Sequence, residues 1–368
     1  MHLKPMLITI CSALIALSAC NNPPAEPSST PIPEASSTSS TSNKTRDLTI
    51  ASWGGTYQDA QREVYFKPFS EKLGKSVLDE NYDGGYGVLQ AKVQSGNPNW
   101  DVVQVEGATL ASACEDGLLE PLDWDKLGGK DAYLPTAVND CGVGAIVVSS
   151  VIAYDGNKIQ SGPTSWADFW DVKKFPGKRS LRKTPTYTLE FALMADGVPQ
   201  DKVYEVLASE EGVARAFKKL DEIKPHVLWW ESGAQPLQLL ASGEVSMASV
   251  YNGRVAGLNR TEGTNFKIVW PGSMYSIDSW AILKGAANKE AAMDFISFAS
   301  LPENQVKLPE FMAYGLPNKQ AAANVPEKYA TELPTFAANM EQALPFNAAF
   351  WGDHSEELIP RFNAWLAK

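Results

Sequence analysis

The stretch 48-LTIASWGGTYQD-59 decides the architecture. Leu48-Thr49-Ile50-Ala51 is apolar and β-branched and reads as a short strand. Trp53-Gly54-Gly55 is a turn, and Thr56-x-x-Asp59 has the spacing with which a capping box opens a helix. Strand, turn and helix in that order form the repeating unit of α/β sheets. The unit recurs along the chain. Asp101-Val102-Val103-Gln104-Val105 leads through Glu106-Gly107-Ala108 into a helix ending near Gly117, and Val227-Leu228-Trp229-Trp230 leads into a second capping box, Ser232-x-x-Gln235. An apolar run over 245–250 meets the turn-forming pair Asn252-Gly253, and a helical segment follows directly. Residues 144–154 form a long β-branched run, and Ser279-Trp280-Ala281-Ile282-Leu283 a late strand. No internal sequence repeat is visible.

The N-terminus stands apart. Lys4 precedes an apolar segment over 6–16, followed by Leu17-Ser18-Ala19-Cys20. That run is too short for a stable membrane span and has the form of an export signal. Its final tetrapeptide resembles a bacterial lipobox, in which the cysteine, here Cys20, is acylated and becomes the mature N-terminus; plain cleavage is the alternative. Residues 21–46 are dense in Pro, Ser and Thr and cannot build a core, so they read as a tether. The expected product is soluble and held to a membrane only by its lipid. Residues 1–19 contain one Lys and no acid, so their removal takes the net charge from −11 to −12. This balance argues against nucleic acid and anionic membrane surfaces as partners.

Two cysteines remain in the body, Cys114 and Cys141. In an exported protein such a pair is expected to form a disulfide, with two buried free thiols as the alternative. Metal binding is not expected, because the mature chain has only His226 and His354 and no clustered ligands. Signals for catalysis and cofactors are weak throughout. Gly142-Val143-Gly144 lacks the third glycine of a nucleotide fingerprint, and Gly74-Lys75-Ser76 lacks the upstream glycine of a phosphate loop. Asp353-His354-Ser355 are sequence neighbours and cannot form a triad's chain of hydrogen bonds. No cofactor is expected, and nothing supports an enzyme.

Ligands of open α/β sheets bind beyond the carboxyl ends of strands. Several such junctions carry aromatic or charged residues, notably 53–57, Glu106, 184–187, Glu231, 251–254 and Asp278. Arg254 is unusual, because the first turn of a helix normally favours an anion.

These features resemble the solute-binding receptors of bacterial ABC importers, and more narrowly the spermidine/putrescine receptors and their relatives that bind 4-aminobutyrate. The resemblance covers residues 47–368. It rests on Ser52-Trp53-Gly54-Gly55-Thr56-Tyr57, Trp100-Asp101-Val102-Val103, Gly117-Leu118-Leu119-Glu120-Pro121-Leu122-Asp123, Ser242-Gly243-Glu244, Tyr251-Asn252-Gly253-Arg254 and Ile277-Asp278-Ser279-Trp280, in that order and spacing. It implies a two-lobed, type II-like periplasmic binding protein of class α/β, each lobe a doubly wound sheet, with two crossover hinge strands near 149–154 and 277–281. The expected division is 1–19 signal, 20–46 lipidated tether, 47–152 with 280–320 as lobe 1, and 153–279 with 321–368 as lobe 2. It also implies a periplasmic monomer that delivers its ligand to an ABC permease in the inner membrane.

By the same resemblance, Trp53 and Tyr57 stack on the ligand and Asp278 grips an ammonium group. Glu106 and Tyr187 match family loop positions that approach the ligand, with residue types that leave their roles open; Glu231 is a candidate from its place at a strand end alone. The departure lies at Arg254. Polyamine receptors carry Trp-x-Gly-Asp, with the acid on a second ammonium, where this chain reads Tyr-x-Gly-Arg. An Arg about 4 Å from an ammonium would cost roughly 4 kcal/mol at an effective dielectric of 20. A carboxylate would gain a bidentate pair instead. Asp278 and Arg254 together therefore point to a short zwitterion, 4-aminobutyrate or 5-aminovalerate. A polyamine ligand remains the alternative if Arg254 is spent on an internal pair with Glu231 or Glu106.

Overall fold

A computed structural model describes residues 46–368. The export signal, Cys20 and the tether up to residue 45 lie outside the described residues. Arg46 opens the folded body, donating to both carboxylate oxygens of the buried Asp101 at 2.6 and 2.8 Å.

Eleven strands among the described residues join in one connected sheet. They are β1 (Leu48–Ser52), β2 (Val77–Asn81), β3 (Val102–Glu106), β4 (Leu119–Glu120), β5 (Val138–Asn139), β6 (Gly142–Asp155), β7 (Arg179–Arg182), β8 (Val227–Trp230), β9 (Met247–Tyr251), β10 (Phe266–Leu283) and β11 (Ala343–Pro345). At one end β2, β1 and β3 run parallel, and at the other β8, β7 and β9 repeat that order. The chain thus repeats its topology without repeating its sequence. Between the two sets lie β10 and β6, antiparallel to each other and to their outer neighbours β3 and β9. These two strands carry the chain from one lobe to the other.

Each lobe has its own core. One packs Ile50, Val102, Ile146, Trp280 and Phe295, and the other packs Phe169, Leu181, Leu193, Leu220, Trp351 and Phe362. Cys114 and Cys141 form a disulfide, tying the end of helix Gly107–Glu115 to the start of β6. Closing a loop of 27 residues contributes roughly 3–4 kcal/mol in the chain-entropy treatment.

Several local expectations change. The late strand begins at Phe266, well before Ser279. Pro271-Gly272 hides its first half in the sequence, because proline cannot donate to a ladder and the register breaks between Val269 and Met274. No turn forms at Asn252-Gly253: β9 runs straight into helix Asn252–Glu262. Gly253 is needed for a different reason, since any Cβ there would collide with the Tyr314 ring. Thr56 lies inside helix Gly55–Gln61 and does not cap it; the Gln58 side chain accepts from the Gly54 N–H at 2.8 Å instead. At the second expected box Gln235 does reach back, accepting from the N–H groups of Glu231 and Ser232 at 2.7 and 3.0 Å, but no side chain caps helix Gln235–Ser242.

Candidate binding site

The parallel strands of both lobes point their carboxyl ends at one cleft. Trp53 follows β1, Glu106 ends β3, Arg182 ends β7, Trp230 and Glu231 close β8, and Tyr251 ends β9. β10 passes beneath and contributes Ser276 and Asp278, while Arg254 reaches in from the first turn of helix Asn252–Glu262. The side chains close in on one another, and the cavity left between them is small, about 50 Å³. Trp53, Tyr57, Glu106, Tyr187, Glu231, Tyr251, Arg254 and Asp278 all line it, with Arg182, Trp230, Gly233 and Tyr314 beside them.

Aromatic rings form the walls. Trp53 stacks on Tyr82 with centroids 5.6 Å apart, Tyr57 meets Tyr314 edge-on at 5.2 Å, and Trp230 meets Tyr251 edge-on at 5.7 Å. Tyr57 is fixed from below: its hydroxyl accepts from Gln104, which accepts in turn from Gln61 and Ser52. Tyr187 is the one non-glycine residue with positive φ among the described residues, at 67°. A backbone held there costs on the order of 1–3 kcal/mol. It aims the ring into the cleft, where the hydroxyl donates to Ser276 Oγ at 3.0 Å. Burial raises the hydroxyl pKa values of Tyr57, Tyr187 and Tyr251, so all three stay neutral donors.

The charges fall into two groups. Glu106 and Arg182, from opposite lobes, pair at 3.1 Å, and the Arg182 guanidinium lies 5.7 and 6.0 Å from the Trp230 and Tyr251 ring centroids. Glu231 stands at the rim, where Lys183 holds it at 2.8 Å. Neither acid is therefore paired with Arg254. That residue is 7% exposed, makes one 3.4 Å bond to the Trp53 carbonyl, and leaves Nε with no partner. Gly55 and Gly233 flank it closely: a Cβ would lie 3.1 Å from Nη1 at the first and 3.0 Å from Nε at the second.

Asp278, also 7% exposed, sits opposite Glu106 in the β10–β3 register. Burial is the largest influence on its carboxyl, and Glu106 adds to it. Together they hold the pKa well above the usual carboxylate range, against the opposing pull of Arg182, Trp53 and Arg254. The Trp53 indole N–H favours the charged form yet makes no hydrogen bond of acceptable geometry.

The residues missed in the sequence have a common cause. Arg182 ends the four-residue strand Arg-Ser-Leu-Arg, whose charged ends hide any apolar run. Tyr314 comes from a loop remote in sequence that carries no motif. Trp230 was visible within β8, and an aromatic residue at a strand's carboxyl end beside Glu231 was the available signal.

Two α/β lobes, joined by crossover strands and closed over a cleft of aromatic and charged residues, define a periplasmic binding protein fold. Residues 67–338 match the bacterial extracellular solute-binding proteins, and the chain belongs to that family. It is 47% identical over 325 residues to a gamma-aminobutyric acid-binding protein of Pseudomonas aeruginosa, covering 88% of this chain and 92% of that one. Among solved structures, the Atu4243-GABA receptor matches with a TM-score of 0.77 and 38% identity over 88% of this chain and 98% of its own. MotA of A. tumefaciens B6, in complex with glucopine, matches with a TM-score of 0.81 and 35% identity, over 87% of this chain and 100% of its own. These relatives are binding proteins and not enzymes. No described helix is long and apolar enough to cross a membrane.

Proposed function

We propose that this chain is the lipid-anchored periplasmic receptor of an ABC importer and binds a zwitterionic ω-amino acid, 4-aminobutyrate or the longer 5-aminovalerate. The observation that carries this reading is the pairing of a buried arginine that has no carboxylate partner with a buried aspartate in the same cavity. The ligand carboxylate takes the open face of Arg254, where charge-assisted bidentate bonds are strongest. The ammonium takes Asp278, and the faces of Trp53, Tyr57, Tyr187 and Tyr251 surround the aliphatic chain and the cation. Binding then draws the lobes together and presents them to the permease, while Cys20 and the tether keep the body at the membrane.

Identity to the Pseudomonas aeruginosa protein supports 4-aminobutyrate as the first ligand to try. A diammonium ligand fits poorly, because Arg254 is not neutralised by an acid. Calorimetric titration of the full chain with 4-aminobutyrate, 5-aminovalerate, putrescine and spermidine tests the proposal. The ω-amino acids should bind at micromolar concentration or tighter. Comparable binding by putrescine, with none by either ω-amino acid, would sink it.

A further inference from the structure

Glu106 and Asp278 are adjacent carboxyls on facing positions of β3 and β10. Facing residues of an antiparallel pair have Cβ atoms about 5 Å apart, so both acids address the same volume. Were both free, the interior of the cleft would set two acids against the guanidinium of Arg254, a charge set suited to a cation. Arg182 changes the count. It crosses from β7 of the opposite lobe to pair with Glu106 at 3.1 Å, and the rings of Trp230 and Tyr251 hold it in place. That leaves a single buried acid, Asp278, facing a single buried cation without an acid partner, Arg254, while Asp83 and the Lys183-paired Glu231 stand at the exposed rim.

We propose that Arg182 is a specificity-determining residue: by pairing across the cleft it withdraws Glu106 from the ligand, and so makes the site select a zwitterion over a diammonium compound. The inference rests on the preceding reading of Asp278 and Arg254 as the two ends of the site. Selectivity of this kind arises from a repulsive or masking element as much as from a new attraction. It also assigns Glu106 a role that its position alone left open.

The test is a charge cycle in the full chain: Arg182→Gln, Glu106→Gln and the double variant, each titrated with 4-aminobutyrate, putrescine and glutarate. Arg182→Gln frees Glu106 and should raise the putrescine-to-aminobutyrate affinity ratio by roughly tenfold or more. Glu106→Gln frees Arg182 and should raise the ratio for glutarate, a dicarboxylate, by a similar factor. The double variant should bind every ligand more weakly but return the ranking to that of the wild type. A uniform loss in both single variants, with ratios unchanged, would make the pair a mere latch between lobes and overturn the proposal. So would a double variant that keeps a single variant's shifted ranking. Should Arg182→Gln fail to fold, as a thermal melt would reveal, the Glu106→Gln arm decides alone. Failure of the wild type to bind any ω-amino acid is a separate result, read from the wild-type titration, and removes the basis of both readings.

Discussion

Two buried arginines in this molecule are treated in opposite ways. Arg179, at the start of β7, is fully buried, and protein oxygens surround its guanidinium. Nε donates to the Phe169 carbonyl at 2.7 Å, Nη1 to the Gly177 carbonyl and Ser246 Oγ at 2.8 Å each, and Nη2 to the Phe175 carbonyl at 2.6 Å. Arg254, in the cleft, is nearly as buried but has one long bond and an orphaned Nε. Burying a cation without partners costs several kcal/mol. A fold keeps such a group only where something else supplies the missing acceptors. The first arginine belongs to the fold, and the second is held ready for an anion.

The sharpest way to break this comparison is to make the same substitution at both places. Arg179→Met would strand the buried carbonyls of Phe169 and Phe175 at about 1–3 kcal/mol each, so its unfolding free energy should fall by about 2–6 kcal/mol. Arg254→Met should leave stability unchanged or raise it slightly, while costing two to three orders of magnitude in affinity for 4-aminobutyrate. Equal destabilisation of the two variants in chemical denaturation would erase the distinction.

Buried acids offer the same contrast. Glu190 is fully buried in lobe 2, where Oε1 accepts from Trp351 Nε1 at 2.7 Å and from the Tyr204 hydroxyl at 3.1 Å, and Oε2 has no partner. Burial pushes its pKa from 4.5 to about 7. A carboxyl whose folded pKa is raised contributes stability that is present below pH 4.5 and lost as the pH rises through about 7. Glu190→Gln should remove that slope, worth on the order of 3 kcal/mol across the window. A melting profile against pH with the same slope in wild type and variant would contradict it.

Asp278 is raised for a different purpose. Burial and Glu106 shift its carboxyl toward the protonated form, and a bound ammonium would shift it back toward the carboxylate. Ligand binding should therefore release a proton. Below the pKa of the empty site, affinity for an ω-amino acid should fall by up to about tenfold per pH unit. Titration in buffers of different ionisation enthalpy reads the proton count directly, and a count of zero at all pH values would show Asp278 already charged. The smallest effect is expected at Tyr187→Phe. Losing the bond to Ser276 should weaken all ligands alike by about 1 kcal/mol. A change in ligand ranking would instead place the hydroxyl on the ligand.

Much of the fold was legible because each strand–helix unit carries its own signal: an apolar strand such as Leu48–Ser52, then glycine or a polar turn, then a helix. Elements without a local signal were missed. β7 is only Arg-Ser-Leu-Arg, and β10 is interrupted by Pro271-Gly272, so both depend on neighbours far away in sequence. The cleft divides in the same way. Trp53, Tyr57 and Arg254 sit in recognisable motifs beside strand ends, Asp278 in one that lies inside β10, and all four line the cavity. Arg182 and Tyr314 reach it only through packing, and Glu106 could not be interpreted before its partner was known. Charge partners separated by 76 residues leave no mark on local sequence.

The most direct measurement is a calorimetric titration of Arg254→Asp beside the wild type, with 4-aminobutyrate and putrescine as the two ligands. If Arg254 determines the ligand class, the wild type binds 4-aminobutyrate and rejects putrescine, and the variant loses 4-aminobutyrate while gaining affinity for the diamine. A variant that binds 4-aminobutyrate as the wild type does would show that the unpaired arginine is not where the carboxylate goes.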